Sequence, residues 1–306
     1  MDIKKVLLTG GCGLVGRTLV PLLRDDYEVS HFEMKDPEDG LPFIQGDLLD
    51  STGVAESCRG MDAVIHVAAL HGKAWQELGD DKSFEINVVG TKNILEGAAA
   101  AGVQRVIFTS SIWASGHNSP PADHLPMDEE LPRQPAELYG LTKILGEQMC
   151  RYATAKHGFS TIVLRPGGIR PADGFEPCSA GPLMGVVHVQ DVAQAHALAL
   201  KAPDDMMHEV FIITADSPLC EVDPAKFRED SGGTLESVVP GAGELVRNGT
   251  LKLGPGTEWY TVEKAKRLLG YRPEFNFPGS ALNRASKAQA SVKSSMKTDE
   301  TGNGRR

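Results

Sequence analysis

Short runs of branched and aromatic apolar residues punctuate the first two thirds of the chain. Each is followed by a longer stretch with apolar positions three and four apart. Val6-Leu7-Leu8 leads the series, and a strand is expected over 6–9. Further strands are expected over 28–33, 43–47, 63–68, 106–109 and 161–164. A helix opening near Gly13 carries Leu14, Val15, Leu19, Val20, Leu22 and Leu23 on its apolar side. A short helix starts at about Ser51. Longer ones are expected over 84–101, ended by Gly102, and over 136–157, ended by Gly158. Near-continuous apolar strands alternating with helices specify a parallel sheet covered on both faces. The expected fold class is α/β, a doubly wound parallel sheet with a small C-terminal lobe. Ligands then belong at the carboxyl ends of the strands.

The pattern changes after Arg165-Pro166. Residues 167–185 are rich in glycine and proline and read as a loop. Strand and helix resume over 186–189 and 191–200, with Asp191 as the expected N-cap. Another strand is expected over 210–214. Residues 215–280 mix turns with short helices, one over 261–269. From about 283 to 306 the chain is polar and is expected to be disordered. This divides the chain into an α/β domain over 1–166, a small lobe over 167–282 with strands returning to the main sheet, and the tail. No internal repeat is seen.

Composition narrows the function classes. The 306 residues carry a net charge of -10, which argues against a nucleic-acid binder. No apolar run has the length of a membrane span. Met1-Asp2-Ile3-Lys4-Lys5 enters a strand at once, without a signal-peptide core. The five cysteines include no Cys-x-x-Cys pair. They read as reduced thiols in a cytoplasmic protein, and zinc is not expected.

Directly after the first strand stands Thr9-Gly10-Gly11-Cys12-Gly13-Leu14-Val15-Gly16. Gly10 allows a tight turn, Gly13 a close approach to phosphates, and Gly16 close packing of helix on sheet. The helix start then offers free N–H groups to a pyrophosphate. The glycines are spaced three apart, unlike Gly-x-Gly-x-x-Gly. Glu33 closes the second strand, where an acid hydrogen-bonds an adenosine ribose and repels a 2′-phosphate. NAD is therefore expected over NADP. Asp47, after Gly46, is placed to reach the adenine, and Ala68 and Ala69 are small where a cofactor would lie.

The second string is Tyr139-Gly140-Leu141-Thr142-Lys143. Tyrosine and lysine one turn apart share a helix face. A free phenol titrates near 10, and bringing it to about 7 takes roughly 4 kcal/mol. An ammonium and an oxidised nicotinamide can supply that. The phenolate then takes an alcohol proton as hydride leaves the carbon. Lys143 is also expected to bond the nicotinamide ribose. Ser111, at the end of the fifth strand, can polarise the substrate oxygen. Ser110 is the neighbouring alternative, and strand alternation points the two opposite ways. Asn87, early in the 84–101 helix, is expected to hold a water that relays protons to Lys143.

Together these strings resemble the extended short-chain dehydrogenase/reductase family, the NAD-dependent epimerase/dehydratases. The resemblance runs from about Lys5 to Phe277. It includes Gly46-Asp47-Leu48, His66-Val67-Ala68-Ala69, Asn87-Val88-Val89-Gly90-Thr91, Thr109-Ser110-Ser111, Leu164-Arg165-Pro166 and His188-Val189-Gln190-Asp191-Val192-Ala193. It implies a Rossmann-type fold and places Ser111, Tyr139, Lys143 and Asn87 as the catalytic set. To the cofactor shell it adds Leu14, Val15, Leu48 and Pro166. It also implies a homodimer packed through the Asn87 and Tyr139 helices. The spacing of Ser111 to Gly116 marks it as the family's serine. Ala114-Ser115-Gly116 stands where the family has Tyr-Gly, so the aromatic beside the site is absent.

The interval from Arg165 to His188 is much shorter than in nucleotide-sugar epimerases and dehydratases, and resembles members acting on free sugars, such as uronate dehydrogenases. The expected activity is NAD-dependent hydride transfer on a small sugar, sugar acid or polyol. A nucleotide-sugar epimerase with retained NAD is the alternative, and a non-catalytic NAD-binding regulator is another. Ile112-Trp113 stands where dehydratases carry acids. His66, His71, His117, His124 and His188 read as structural, without metal-ligand spacing. Asp128-Glu129-Glu130 reads as a solvated run. Trp75, Trp113 and Arg170 are candidates to line the pocket, Arg170 toward a carboxylate.

Overall fold

The computed structural model describes residues 1–115, 124–132 and 134–278. The chain opens with β1 (Lys5–Thr9), α1 (Leu14–Leu23), β2 (Glu28–Glu33), β3 (Phe43–Gln45), α2 (Ser51–Ser57) and β4 (Ala63–His66). Then come α3 (Gly72–Leu78), α4 (Asp80–Glu85), a π-turn (Ile86–Gly90), α5 (Thr91–Ala101) and β5 (Arg105–Thr109). The second half holds α6 (Leu138–His157), β6 (Ser160–Pro166), β7 (Gly168–Arg170), β8 (Val186–His188), α7 (Val189–Leu200) and β9 (His208–Ile213). Four short helices follow: α8 (Pro224–Glu229), α9 (Ser231–Val238), α10 (Ala242–Arg247) and α11 (Glu263–Leu269).

Seven strands form one parallel sheet in the order β3-β2-β1-β4-β5-β6-β9. The order reverses between β1 and β4, as in a doubly wound Rossmann-like sheet. Alternate residues of one strand enter opposite cores. Val6 and Leu8 join the larger cluster, while Leu7 joins the smaller; Ile107 and its neighbours Val106 and Phe108 divide likewise. Two buried faces explain why these strands read as unbroken apolar runs.

Several expectations change. The 84–101 helix begins earlier, at Asp80, and carries the π-turn in its middle. The 167–185 loop contains β7, which pairs with β8, and two 3₁₀ turns over Ala172–Gly174 and Gly181–Leu183. Asp191 is not an N-cap. His188 caps α7, its Nδ1 accepting from Gln190 N at 3.2 Å. Asp191 is buried in the first turn and accepts from Glu274 N and Phe275 N at 2.8 and 3.1 Å, tying the chain end to α7. Gly116, His117 and the 283–306 tail lie outside the described residues. Among the described residues no helix is long and apolar enough to cross a membrane.

Candidate active site

The glycine turn leaves β1 at the point where the sheet order reverses. Gly10 has a φ of +81°, and a Cβ there would stand 2.6 Å from Ala68 N. A Cβ on Gly16 would stand 2.3 Å from Gly10 O. Turn, helix and strand exit therefore approach closer than any side chain permits. Gly13 donates to Gly10 O at 3.0 Å and begins α1 with no side-chain cap and no acid in the first turn. The N–H groups around Leu14 and Val15 are left to an anion. Glu33 faces the same turn, its Oε1 accepting from Cys12 N at 3.2 Å. Asp47 is exposed, with Oδ1 accepting from Leu49 N at 2.9 Å, and Leu48 packs against Gly90 of the π-turn.

β5 and α6 bring the reactive groups together. Lys143 is buried, and its Nζ donates to Thr109 O at 2.8 Å. The ammonium lies 5.7 Å from the Tyr139 ring centroid. Burial pulls Lys143 down to about 8, against an upward pull from Glu147. Burial pushes the Tyr139 phenol up to about 12; a hydrogen bond with Ser111 opposes this, and Glu137 adds to it. The bound site must therefore favour the phenolate by more than a free phenol requires.

The two serines separate. Ser110 donates to Glu147 Oε1 at 2.6 Å, inside the core. Arg165 grips the same carboxylate with Nε and a terminal nitrogen, both at 2.8 Å. Ser111 instead meets Tyr139, and its Oγ accepts from Trp113 N at 3.2 Å.

Asn87 sits in the π-turn. Its Oδ1 accepts from Leu70 N at 2.7 Å and its Nδ2 donates to Leu70 O at 2.9 Å. A longer contact of 3.4 Å reaches Thr142 Oγ1, one residue before Lys143. Thr91 donates to Asn87 O at 2.6 Å, so it accepts from His66 Nε2 at 3.1 Å. His66 Nδ1 therefore accepts from Thr9 Oγ1 at 2.7 Å. This imidazole is neutral, pulled down to about 3 by burial and, less, by Lys143. It joins the glycine-turn strand to the π-turn.

A cavity of about 650 Å³ opens among these elements. Val15, Ala69, Ser111, Tyr139, Lys143 and Pro166 all line it, as do Trp75, Trp113 and Arg170. Gly10, Gly13, Gly16, Glu33 and Ala68 gather around the glycine turn beside it. Asp47, Leu48 and Asn87 are not part of its wall. Sequence reasoning missed one side of this wall: α3 and its flanks supply His71, Gly72, Gln76 and Asp80. His71, grouped with the structural histidines, stands with its ring 6.1 Å from that of Tyr139. The signal available was a Trp-bearing segment bracketed by Gly72 and Gly79, whose φ values are +53° and +81°.

Comparison with known proteins gives a family and a fold. The model of the NAD dependent epimerase/dehydratase family matches residues 6–169. The NAD-dependent glucose-6-phosphate dehydrogenase of Haloferax volcanii is 31% identical over 303 residues, covering 92% of this chain and 98% of that one. The L-arabinose 1-dehydrogenase (NAD(P)(+)) of the same organism is 31% identical over 180 residues, 55% of this chain and 68% of that one. A short-chain dehydrogenase/reductase superfamily protein from Agrobacterium tumefaciens, solved with bound NAD, has a TM-score of 0.68 at 23% identity. The match covers 96% of this chain and 99% of that one, and shows a shared fold.

Proposed function

Because the chain belongs to the NAD-dependent epimerase/dehydratase family, we propose that it is an NAD-dependent oxidoreductase acting at a carbinol or carbonyl carbon of a small sugar, sugar acid or polyol. The observation that carries this reading is the one cavity lined by Ser111, Tyr139, Lys143 and Val15 of the glycine turn. NAD, when bound, supplies a hydride acceptor. The uncapped start of α1 and the close-packed glycines fit its pyrophosphate. Glu33 at the end of β2 favours NAD over NADP.

Tyr139 takes the alcohol proton as general base, or returns it to a carbonyl. Ser111 polarises the reacting oxygen and holds the phenol by a hydrogen bond. Lys143, fixed at Thr109 O, places its charge beside the phenol and favours the phenolate. Asn87 is a positioning residue that holds Leu70, between the wall residues Ala69 and His71. The segment from 167 onward serves as the substrate side. Only two 3₁₀ turns lie between β7 and β8, which supports a small substrate. The names of both Haloferax relatives point to dehydrogenation of sugars. All five thiols are free, in keeping with a cytoplasmic protein. Exposed Leu141 and Tyr152 on α6 support a homodimer through α5 and α6.

The test is NAD content after acid denaturation, followed by NADH formation with free sugars and sugar acids. Apo protein that forms NADH supports the reading. One retained NAD per chain without net NADH would replace it with epimerisation.

A further inference from the structure

We propose that Trp75 is the sugar platform of the cavity, a specificity-determining residue that packs the C–H face of a monosaccharide ring beside the Tyr139 phenol; this rests on the reading above for which carbon reacts. α3 contains no buried residue, so no core packing dictates a tryptophan in it. The indole is nevertheless held in place. Its Nε1 donates to Asp80 Oδ1 at 2.7 Å, across the break at Gly79 between α3 and α4. Its ring stands edge-on to Tyr139, with centroids 6.1 Å apart and planes at 89°. A pinned indole offers a large apolar surface at low ordering cost.

The polar groups around it suit a hydroxylated ring. Gln76 and Asp80 line the same wall and supply an amide and a carboxylate for ring hydroxyls. Ser111, Tyr139 and Lys143 line the cavity at its reactive end. A ring resting on Trp75 thus has hydroxyl partners on one side and the acid/base trio on the other. The combination of one apolar plate with a few convergent polar groups is that of a small-ligand site.

A shield for Tyr139 would act differently from a platform. Loss of a shield rehydrates the phenol and changes kcat and its pH profile. Loss of a platform weakens substrate binding and raises KM.

The experiment compares wild type, Trp75→Ala and Trp75→Phe, with NADH affinity as the check of folding. Steady-state NADH formation is followed with D-glucuronate, D-glucose and L-arabinose. Tryptophan fluorescence of the NAD-loaded protein is titrated with the same sugars in a Tyr139→Phe background, which cannot turn them over. For Trp75→Ala, KM should rise by about tenfold or more, with kcat within about threefold. Trp75→Phe should recover most of the loss and remove the larger part of the sugar-dependent fluorescence change, Trp113 of the same wall supplying any remainder. Unchanged KM, a lowered kcat at constant KM, a fluorescence change as large in Trp75→Phe as with Trp75 present, or no sugar response in either assay would overturn the platform. A Trp75-dependent fluorescence change without NADH formation would keep the platform and remove hydride transfer. NADH formation with a KM indifferent to Trp75 would do the reverse.

Discussion

The Ser110 hydroxyl gives its hydrogen to Glu147 at 2.6 Å, in a buried site where Arg165 also grips the carboxylate. Ser111, one residue on, meets Tyr139 instead. Substituting these neighbours should have opposite consequences. Ser110→Ala removes a bond to a buried charge and should cost about 1.5–3 kcal/mol of stability. It should leave kcat close to wild type. Ser111→Ala loses a hydroxyl that lines the open cavity, where water can take its place, so it should cost less stability than Ser110→Ala and lower kcat by about 10²–10³. Urea unfolding and NADH formation on both variants read this out. The reverse pattern would assign catalysis to Ser110.

Tyr139→Phe removes the group that exchanges the substrate proton. Turnover should fall by about 10²–10⁴. NADH affinity, measured by fluorescence titration, should stay near wild type, because the glycine turn and α1 are untouched. Retained turnover would sink the assignment of Tyr139 as acid/base.

Glu33 accepts from Cys12 N, so its carboxylate is fixed against the glycine turn. A negative group held there repels a 2′-phosphate. Glu33→Ser should weaken NAD and improve NADP, narrowing the ratio of their affinities by about tenfold or more. Parallel titrations with NADH and NADPH decide it. An unchanged ratio would mean that Glu33 serves only to hold Cys12.

Most of the main sheet was legible because its strands are buried on both faces, which leaves unbroken apolar runs such as Val6-Leu7-Leu8. The glycine turn and the Tyr139–Lys143 spacing were legible because each depends on one short local string. What escaped depends on contacts between distant segments. α3 buries nothing, so its pattern carries no core signal, and His71 and Trp75 meet Tyr139 only through the fold. Asp191 looked like a cap, yet its carboxylate serves Glu274 and Phe275, 83 and 84 residues later. The π-turn around Asn87 is likewise invisible in a helix-period pattern. Strand alternation points Ser110 and Ser111 opposite ways without saying which faces the core, and the family resemblance points to Ser111; in the fold Glu147 takes the Ser110 hydroxyl.

Lys143 ties the site to pH-dependent stability. It titrates at about 8 in the folded chain, against 10.5 as its ordinary value, because burial disfavours the ammonium. Between those values the unfolded chain holds the extra proton, so this group makes stability rise with pH. Below about 8 both states are protonated and the full penalty stands, roughly 3 kcal/mol. Lys143→Met removes the charge and forfeits the bond to Thr109 O, worth about 1 kcal/mol. The variant should therefore be about 2 kcal/mol more stable than wild type at pH 7. That advantage should shrink from pH 8 upward and vanish toward pH 10. Tyr139, pushed up to about 12, and Cys58, pushed up to about 11, destabilise both chains in alkali and largely cancel in the comparison. Urea unfolding of the two chains at pH 7, 8, 9 and 10 measures the difference. A gap that does not change with pH would mean that Lys143 keeps an ordinary lysine's proton affinity. The phenol would then have an ammonium beside it throughout that range, and any fall in turnover near pH 8 would have to come from another group.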